Sequence, residues 1–379
     1  MAGDRGAFFN PETVPRAARS LRVGLIAPPW VPVPPTVYGG TELVVDGLAR
    51  GLTRAGCEVV LWTTGDSTCP VERRWVHPRA LGTVADAAAE LIHVAGAYRD
   101  LAEMDVIHDH TLAGPLWAGR YGCQVPVVTT AHGEFTPELR KHYRAVAAAG
   151  IDIVAISRSQ RCTVPELPIT AVIHHGIDTA TFPVGLGTGG YVAFLGRMSP
   201  TKGVHRAIAV ARAAGVPIVL AAKMWEPDEH RYFAEVVEPM LGPDAVFIGE
   251  IGGRRKLELL GGAMALLNPI RWPEPFGLVM IEALACGTPV LSFAEGAAPE
   301  IVEHGRTGFL CADEDEMAAA IRLVPDLDRA ECRARVEARF STERMVEDHL
   351  QLYRRLLDDD REPPRATATA GAGAAEWSR

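Results

Sequence analysis

Residues 273–290 read PEPFGLVMIEALACGTPV, with Glu274 and Glu282 eight positions apart. Pro275 and Gly277 favour a loop around the first glutamate and then the start of a helix. Glu282 would lie about one and a half turns into that helix. Either glutamate taken singly could be a turn or surface residue, but the apolar neighbours of Glu282 argue against an ordinary surface position. We therefore expect one carboxylate in a loop and one on a helix, both able to accept hydrogen bonds from ligand hydroxyl groups.

The sequence on both sides of this stretch follows an α/β pattern. Short aliphatic runs alternate with segments of helical period. Strands are predicted at 23–27, 58–62, 105–107, 127–130, 153–156, 191–195, 218–222, 246–248, 265–267 and 290–292, and helices at 41–53, after Asp86 and at 343–357. Because these strands are apolar on both faces, we expect parallel sheets with helical crossovers.

A chain of 379 residues is long enough for two hydrophobic cores. The glycine-rich stretch 176–190 interrupts the pattern and predicts a linker. The expected organisation is an N-terminal extension 1–19, an N-terminal Rossmann-like domain 20–180, a linker 181–190, a C-terminal Rossmann-like domain 191–342, a C-terminal helix 343–360 that could pack back on the N-terminal domain, and a disordered tail 361–379. The predicted fold is two doubly wound parallel-sheet domains facing a cleft.

A pair of cations follows the first predicted strand of the C-terminal domain. Residues 194–203 read FLGRMSPTKG and contain Arg197 and Lys202. Ligands of open α/β sheets bind at the carboxyl ends of the strands, and the start of the following helix favours anions. The guanidinium fork and the compact ammonium group could together offset charge on a diphosphate leaving group. Standing alone, such a pair would more often be two solvated surface cations.

Together these motifs resemble family 4 of the glycosyltransferases, which has the two-domain GT-B fold, over nearly the whole chain. The resemblance rests on the Glu-x7-Glu pattern of 274–282, on Gly196-Arg197 with Lys202-Gly203, on YGGTE at 38–42, and on His132-Gly133. It implies a transferase that moves a hexose-type sugar, with retention of configuration, from a nucleotide-diphosphate donor to a hydroxyl acceptor. UDP-linked and GDP-linked donors are not separable from the sequence.

The resemblance also implies roles for particular residues. Arg197 and Lys202 would neutralise the diphosphate, Glu282 would bind the ribose, and Glu274 with Phe276, Gly277 and Leu278 would orient the donor sugar. His132 would lie at the reaction side of that sugar, and Gly39 and Gly40 would meet the diphosphate across the cleft. The predicted catalytic residues are therefore His132, Glu274, Arg197 and Lys202, and the predicted base contacts come from segments that include Lys223 and Ile251.

The acceptor side of the cleft is predicted from the N-terminal half. In an extended segment, His108 and His110 share one face and Asp109 takes the other. Two imidazoles without further ligands make a weak metal site, so we expect acceptor-side contacts and no metal. Glu134 follows His132, and Glu42 either faces the acceptor or simply favours the start of a helix. The predicted acceptor is a small molecule such as a polyol, an antibiotic or a saccharide.

Composition excludes several other functions. A net charge of -9 without clustered Lys and Arg argues against nucleic acid as a partner. No apolar run approaches the roughly 18 residues needed to cross a bilayer, and the polar start 1–20 lacks a signal-peptide core, so we expect a cytoplasmic protein without peripheral membrane contact. Seven scattered cysteines without a CxxC pair suggest neither disulfides nor zinc. No cofactor is expected besides the nucleotide sugar, and the oligomeric state is left open.

Other functions remain possible for this fold, because fold alone does not determine chemistry. A nucleotide-sugar epimerase would need no acceptor, and a glycan phosphorylase would need free phosphate. A binding module that has lost turnover is a third alternative. The retained Arg197, Lys202, Glu274 and Glu282 argue against it.

Overall fold

The computed structural model describes residues 20–82 and 86–359, and within them two parallel sheets are present. The first sheet contains β1 Arg22–Ile26, β2 Glu58–Trp62, β3 Glu72–Arg74, β4 Val106–Asp109, β5 Val127–Ala131, β6 Asp152–Ala155 and β7 Ile169–Val172. The second contains β8 Val192–Arg197, β9 Ile218–Lys223, β10 Ala245–Phe247, β11 Leu266–Asn268, β12 Val290–Phe293 and β13 Gly308–Cys311. The predicted fold of two doubly wound domains is confirmed.

Helices connect and cover the strands. In the first domain they are α1 Gly40–Arg54, α2 Ala87–Asp100, α3 Ala113–Tyr121, α4 Pro137–Ala148 and α5 Arg158–Cys162. The second half contains α6 Val204–Ala214, α7 Pro227–Tyr232, α8 Gly253–Gly262, α9 Leu278–Ala285, α10 Ala298–Ile301, α11 Glu314–Ala320, α12 Arg329–Arg339 and α13 Thr342–Asp359. The extension 1–19 and the tail 361–379 lie outside the described residues.

The strand orders place one reversal in each sheet. The orders are β3-β2-β1-β4-β5-β6-β7 and β10-β9-β8-β11-β12-β13. In such sheets the connections leave on opposite sides at the point where the order reverses, which opens a crevice beyond the carboxyl ends of the strands. These crevices lie beside β1 and β4 in the first domain and beside β8 and β11 in the second.

The predicted strands include every interior strand of both sheets and one edge strand, β10. Leu25, Ile107 and Val128 are fully buried, and burying such a side chain contributes about 1.5–3 kcal/mol. Strands β3, β7 and β13 were not predicted, and each is the last strand at an edge of its sheet. Edge strands carry part-exposed and polar residues, as in the Glu-Arg-Arg of β3, so they lack the apolar run that marks a buried strand.

The chain crosses between the two domains twice. Ile177 pairs with Ser341 where the two crossings run side by side. Arg329 fixes the outgoing connection by donating to the carbonyl of Gly185 at 2.8 Å, and Arg333 donates to the carbonyl of Phe182. These contacts tie the connecting segment to α12 of the second domain.

Helix α13 lies against α1 of the first domain. A Cβ atom on Gly51 would stand 2.4 Å from Cγ2 of Val346, so the two helices approach closely only because residue 51 is glycine. Met345 and Tyr353 of α13 are fully buried in the same core as the leucines of α1. The end of the described chain therefore forms part of the first domain's core.

Candidate functional site

The charged residues that the sequence predicts for the donor site lie along one edge of the second sheet. Arg197 is the last residue of β8 and stands beside Lys223, the last residue of β9. Glu274 lies in the loop that follows β11, on the other side of β8. These predicted donor-site residues therefore lie at the reversal of strand order, where parallel sheets commonly bind ligands.

Lys202 and Glu274 form an ion pair that joins the two sides of this crevice. Lys202 belongs to a short turn, Pro200–Lys202, and its Nζ also lies 5.4 Å from the ring centre of Trp272. Burial lowers the pKa of Lys202, and the neighbouring carboxylate opposes part of that shift. An ammonium group held in a partly dehydrated pocket interacts more strongly with an incoming anion than one in bulk water.

The loop carrying Glu274 is held in place by buried packing and by a second loop. Phe276 is buried, and Gly277 takes a φ of 90° at the start of α9, a conformation that favours glycine. Gly296 lies so close that a Cβ atom there would stand 2.4 Å from both the nitrogen and the oxygen of Glu274. The amide of Ala297 donates to the carbonyl of Glu274 at 3.0 Å. The backbone around this carboxylate is therefore held by a second loop.

Glu282 lies on α9 and is buried, with one oxygen 2.6 Å from Nζ of Lys256 on α8. Lys256 was not predicted, because no motif marks it: it is an ordinary cation on a surface helix, 26 positions from its partner in sequence. Ile251, just before α8, is also buried. The second oxygen of a carboxylate remains an acceptor for a diol when the first is paired.

The carboxyl end of β9 carries an aromatic and charged cluster. Nζ of Lys223 lies 3.4 Å from Glu229 and 4.6 Å from the ring centre of Trp225. Glu229 also accepts from the amide of Trp225 at 2.8 Å, which fixes the turn before α7. The indole nitrogen of Trp225 donates to Glu250 at 2.8 Å. Glu229 was not predicted. The sequence marks it only as the third residue of α7, where a glutamate often caps the start of a helix.

The glycine loop of the first domain lies against this edge. The ring of Tyr38 makes an edge contact with Trp225 at 5.9 Å between centres. A Cβ atom on Gly40 would stand 3.3 Å from Cδ1 of Leu278, the first residue of α9. Gly39 precedes α1, where a Cβ atom would stand 2.7 Å from that of Pro35. The loop 38–40 therefore reaches residues of the predicted donor site across the cleft.

A row of histidines continues from the cleft into the first domain. Nδ1 of His110 is hydrogen-bonded to Nε2 of His132 at 2.8 Å, and the ring of His132 stacks on His175 at 5.2 Å. His175 in turn contacts Phe276 at 5.1 Å between centres. His132 is partly exposed at the cleft, whereas His108 beneath it is fully buried. The row thus connects the predicted catalytic histidine to the loop of Glu274.

His108 does not reach the cleft surface. Its ring nitrogens are hydrogen-bonded at 2.7 Å to the hydroxyls of Tyr353 and Thr130. Asp109 points the other way, as predicted, and accepts from the hydroxyl of Tyr98 at 2.6 Å. The sequence indicated the shared face of His108 and His110, but α13, which covers that face, comes from the far end of the chain.

The other two residues predicted for the acceptor side, Glu134 and Glu42, differ in their exposure to solvent. Glu134 is exposed beside His132. Glu42 is buried in the first turn of α1, and burial raises its pKa to about 7. A carboxyl group with this pKa exists in both protonation states near neutral pH, so it can donate as well as accept a hydrogen bond.

The histidine row makes acid sensitivity an expected property of the fold. Burial lowers the pKa of His132 to about 3 and that of His349 to about 4, and also lowers those of His108, His110 and His175. The unfolded chain therefore binds more protons as the pH falls below about 6.5. The resulting stability is complete above that pH and is lost progressively towards pH 3–4. At pH 5 the free energy of unfolding should therefore be lower than at neutral pH.

This loss is measured by urea unfolding at pH 7.5 and pH 5.0, where we expect a clearly lower midpoint at the acid pH. Replacing His349 by Gln removes one titrating group and should reduce the difference. Equal midpoints for the unmodified chain at both pH values would contradict the assignment of neutral buried imidazoles.

Within residues 20–82 and 86–359, no group of three or more His, Cys, Asp or Glu side chains has a geometry that could hold a metal ion. Over the same part of the chain, no helix combines the length and apolar character needed to cross a bilayer.

Two protein families match the chain, one for each half. The family described as "Glycosyltransferase Family 4" matches residues 38–181. The family described as "Glycosyl transferases group 1" matches residues 181–339. The boundary between the two matches falls at the first crossing between the domains.

Relatives match over most of the chain. The alpha-maltose-1-phosphate synthase of Mycolicibacterium smegmatis is 30% identical, over 85% of this chain and 97% of its own length. The D-inositol 3-phosphate glycosyltransferase of Mycobacterium marinum is 29% identical, over 76% of this chain and 72% of its own length. Among solved structures, AviGT4, a glycosyltransferase involved in avilamycin A biosynthesis, is 28% identical with a TM-score of 0.69, over 89% of this chain and 98% of its own.

Proposed function

Because the chain belongs to family 4 of the glycosyltransferases, we propose that it transfers a hexose-type sugar from a UDP- or GDP-linked donor to a hydroxyl group of a small acceptor, with retention of configuration. The observation that supports this most directly is the common location of Arg197, Lys202 and Glu274 at the strand reversal of the second sheet, with Glu282 on the helix that follows. This arrangement supports a site in which cations bind a diphosphate and carboxylates bind sugar hydroxyls.

In the proposed reaction, Arg197 and Lys202 stabilise the negative charge that develops on the leaving diphosphate. Fixed cations in a partly dehydrated site lower the energy of such a charge without reorganising solvent. The bond between the anomeric carbon and the phosphate oxygen breaks while the acceptor oxygen attacks from the same side. The leaving phosphate oxygen takes the proton of the acceptor hydroxyl. Because two cations supply the counter-charge, we propose that transfer needs no metal ion.

His132 and Glu274 are proposed to position the donor sugar. His132 is neutral at physiological pH, because burial lowers its pKa to about 3. A neutral imidazole can present a lone pair towards positive charge at the anomeric carbon, and its bond to His110 fixes the ring. Glu282 is proposed to accept from the ribose diol, and the segments around Lys223 and Ile251 to contact the base.

The acceptor is proposed to be a small sugar or polyol, including phosphate esters. The names of two relatives, an alpha-maltose-1-phosphate synthase and a D-inositol 3-phosphate glycosyltransferase, each refer to a small phosphorylated compound. Glu42, His110 and Glu134 are proposed to lie on the acceptor side of the cleft. His108 is proposed to act only through the position of its neighbours, because its ring lies in the interior.

The proposal is tested by incubating the purified chain with UDP- and GDP-linked hexoses and a panel of sugars, polyols and their phosphates. We expect one donor to raise the melting temperature, since a ligand that binds only the folded state stabilises it. With the matching acceptor, mass spectrometry should detect the glycoside and NMR should show the anomeric configuration of the donor. EDTA should leave the rate unchanged.

Other outcomes of the same experiment would replace the proposal. An altered nucleotide sugar formed without acceptor would indicate an epimerase. Sugar phosphate formed only with free phosphate would indicate a phosphorylase. An inverted anomeric configuration would contradict retention, and the absence of binding by any nucleotide sugar would contradict the donor site.

A further inference from the structure

Glu300 of α10 connects the two domains at a point outside the donor site. One of its oxygens accepts from the amide of Ser159 at 2.8 Å. The other accepts from the amide of Arg158 at 3.0 Å and lies 2.7 Å from Nε2 of His174. Residues 158 and 159 begin α5 of the first domain, and His174 follows β7 of the same domain. A single carboxylate of the second domain therefore engages two segments of the first.

These contacts are partly shielded from solvent. The side chains of Glu300 and His174 are only 15% and 16% exposed. The hydrogen bonds from His174, Ser159 and Arg158 hold the pKa of Glu300 below its usual range although burial opposes this. Hydrogen bonds to an ionised carboxylate are stronger than those between neutral groups, so the contact resists rotation of one domain against the other.

The segment that carries Glu300 also holds the loop of Glu274. The amide of Glu300 donates to the carbonyl of Ala297 at 2.9 Å, and the amide of Ala297 donates to the carbonyl of Glu274 at 3.0 Å. Gly296 packs directly on the backbone of Glu274. On the opposite side, the ring of His174 lies 5.8 Å from that of Phe276 in the same loop. A short rigid path thus runs from the first domain to the backbone of Glu274.

We propose that Glu300 is a positioning residue that couples the seating of the first domain to the geometry of the loop carrying Glu274. This inference rests on the proposed function for its catalytic consequence. When the first domain contacts Glu300 through Arg158, Ser159 and His174, these hydrogen bonds fix the position of α10. The segment before α10 then keeps the loop of Glu274 in the geometry that orients the donor sugar. Glu300 touches neither donor nor acceptor in this scheme. The coupling would favour transfer only in the closed arrangement, in which water is excluded from the reacting atoms.

The first test measures hydrogen exchange in the full chain without any ligand, for the unmodified protein and the Glu300→Ala variant. The inference predicts faster exchange in two places. One is α5 at 158–162, where the amides of Arg158 and Ser159 lose their acceptor. The other is the loop 272–278, for which no hydrogen bond to the Glu300 side chain is present among the described residues. Faster exchange confined to 158–162 would overturn the coupling. This readout does not depend on substrate, so it separates failure of this inference from failure of the proposed function.

The second test uses turnover with the nucleotide sugar for which the unmodified protein shows transfer, and calorimetry with UDP and GDP. For Glu300→Ala we expect kcat to fall by about 10- to 100-fold, since small displacements remote from the chemistry have effects of this size. The fraction of donor lost to water should rise, and affinity for UDP or GDP should stay within about 3-fold. Glu300→Gln and His174→Ala, which remove fewer contacts, should give smaller effects in the same direction.

Glu343→Gln is the matched control, because Glu343 is 69% exposed and pairs with Arg54 of α1, not with a residue of α5, α10 or the loop 272–278. It should leave kcat, the hydrolysed fraction and the exchange of 272–278 unchanged. Unchanged kcat and hydrolysis in Glu300→Ala would overturn the inference. A fall in nucleotide affinity of the same factor as the fall in kcat, together with a clearly lower melting temperature, would also overturn it. That result would indicate a general loss of structure.

Discussion

Replacing Arg197 or Lys202 by alanine should lower kcat/KM for sugar transfer by about 10²- to 10³-fold each, the size found when one group that stabilises transition-state charge is removed. Both side chains lie at the carboxyl edge of the second sheet, where the diphosphate is proposed to bind. Among the described residues, no carboxylate forms an ion pair with Arg197. Its guanidinium interacts electrostatically with Tyr38 and Lys202 at longer range. Steady-state kinetics with the matching donor and acceptor measure the effect.

Stability must be measured alongside activity. Arg197→Ala removes a side chain at a strand end and should change the melting temperature little, whereas Lys202→Ala leaves the Glu274 carboxylate without its partner. Arg254→Ala is the control, because Arg254 is a cation of the same domain with 91% of its side chain exposed. Equal kcat/KM for Arg197→Ala and Arg254→Ala would contradict the assigned role of Arg197.

Replacing Glu274 by alanine should lower kcat by about 10³-fold, because the variant loses both the acceptor for sugar hydroxyls and the group that fixes Lys202. The two residues form a direct ion pair, so their effects should not add. We expect Lys202→Ala with Glu274→Ala together to be little worse than the more harmful single variant. A double-mutant cycle on kcat measures this coupling.

Glu274→Gln separates the two roles of the carboxylate. The amide keeps an acceptor oxygen for the sugar but removes the charge that holds Lys202, so its activity should lie between those of the unmodified chain and Glu274→Ala. Full additivity of the Lys202 and Glu274 variants would show that the two residues act independently, and the proposed role of their ion pair in catalysis would then be wrong.

The sequence predicted the interior strands of both sheets because these depend on local patterns, and the predicted donor site rests on local patterns of the same kind. Apolar runs marked the inner strands, and Glu274 and Glu282 stood in one continuous stretch. Edge strands β3, β7 and β13 were missed because partial exposure weakens the apolar pattern, whereas the edge strand β10 retained an apolar run and was predicted. The burial of His108 was less predictable: the sequence placed this residue with His110 on a face expected to contact the acceptor, yet α13 covers it.

Lys256 and Glu300 were missed for a different reason. Lys256 becomes significant only because α8 brings it to Glu282, and Glu300 only because α10 faces the start of α5. Each contact joins different secondary-structure elements, and neither residue was marked by a recognisable functional pattern. Such partners depend on how helices pack and how the domains are seated, which no local pattern encodes.

A crystal structure of the full chain with bound UDP tests most directly whether Arg197, Lys202, Glu274 and Glu282 surround one nucleotide-sugar site. We expect the diphosphate to lie against Arg197 and Lys202, with the ribose hydroxyls on Glu282. Well-defined nucleotide density on another surface, with these four side chains left out of contact, would contradict the proposed site.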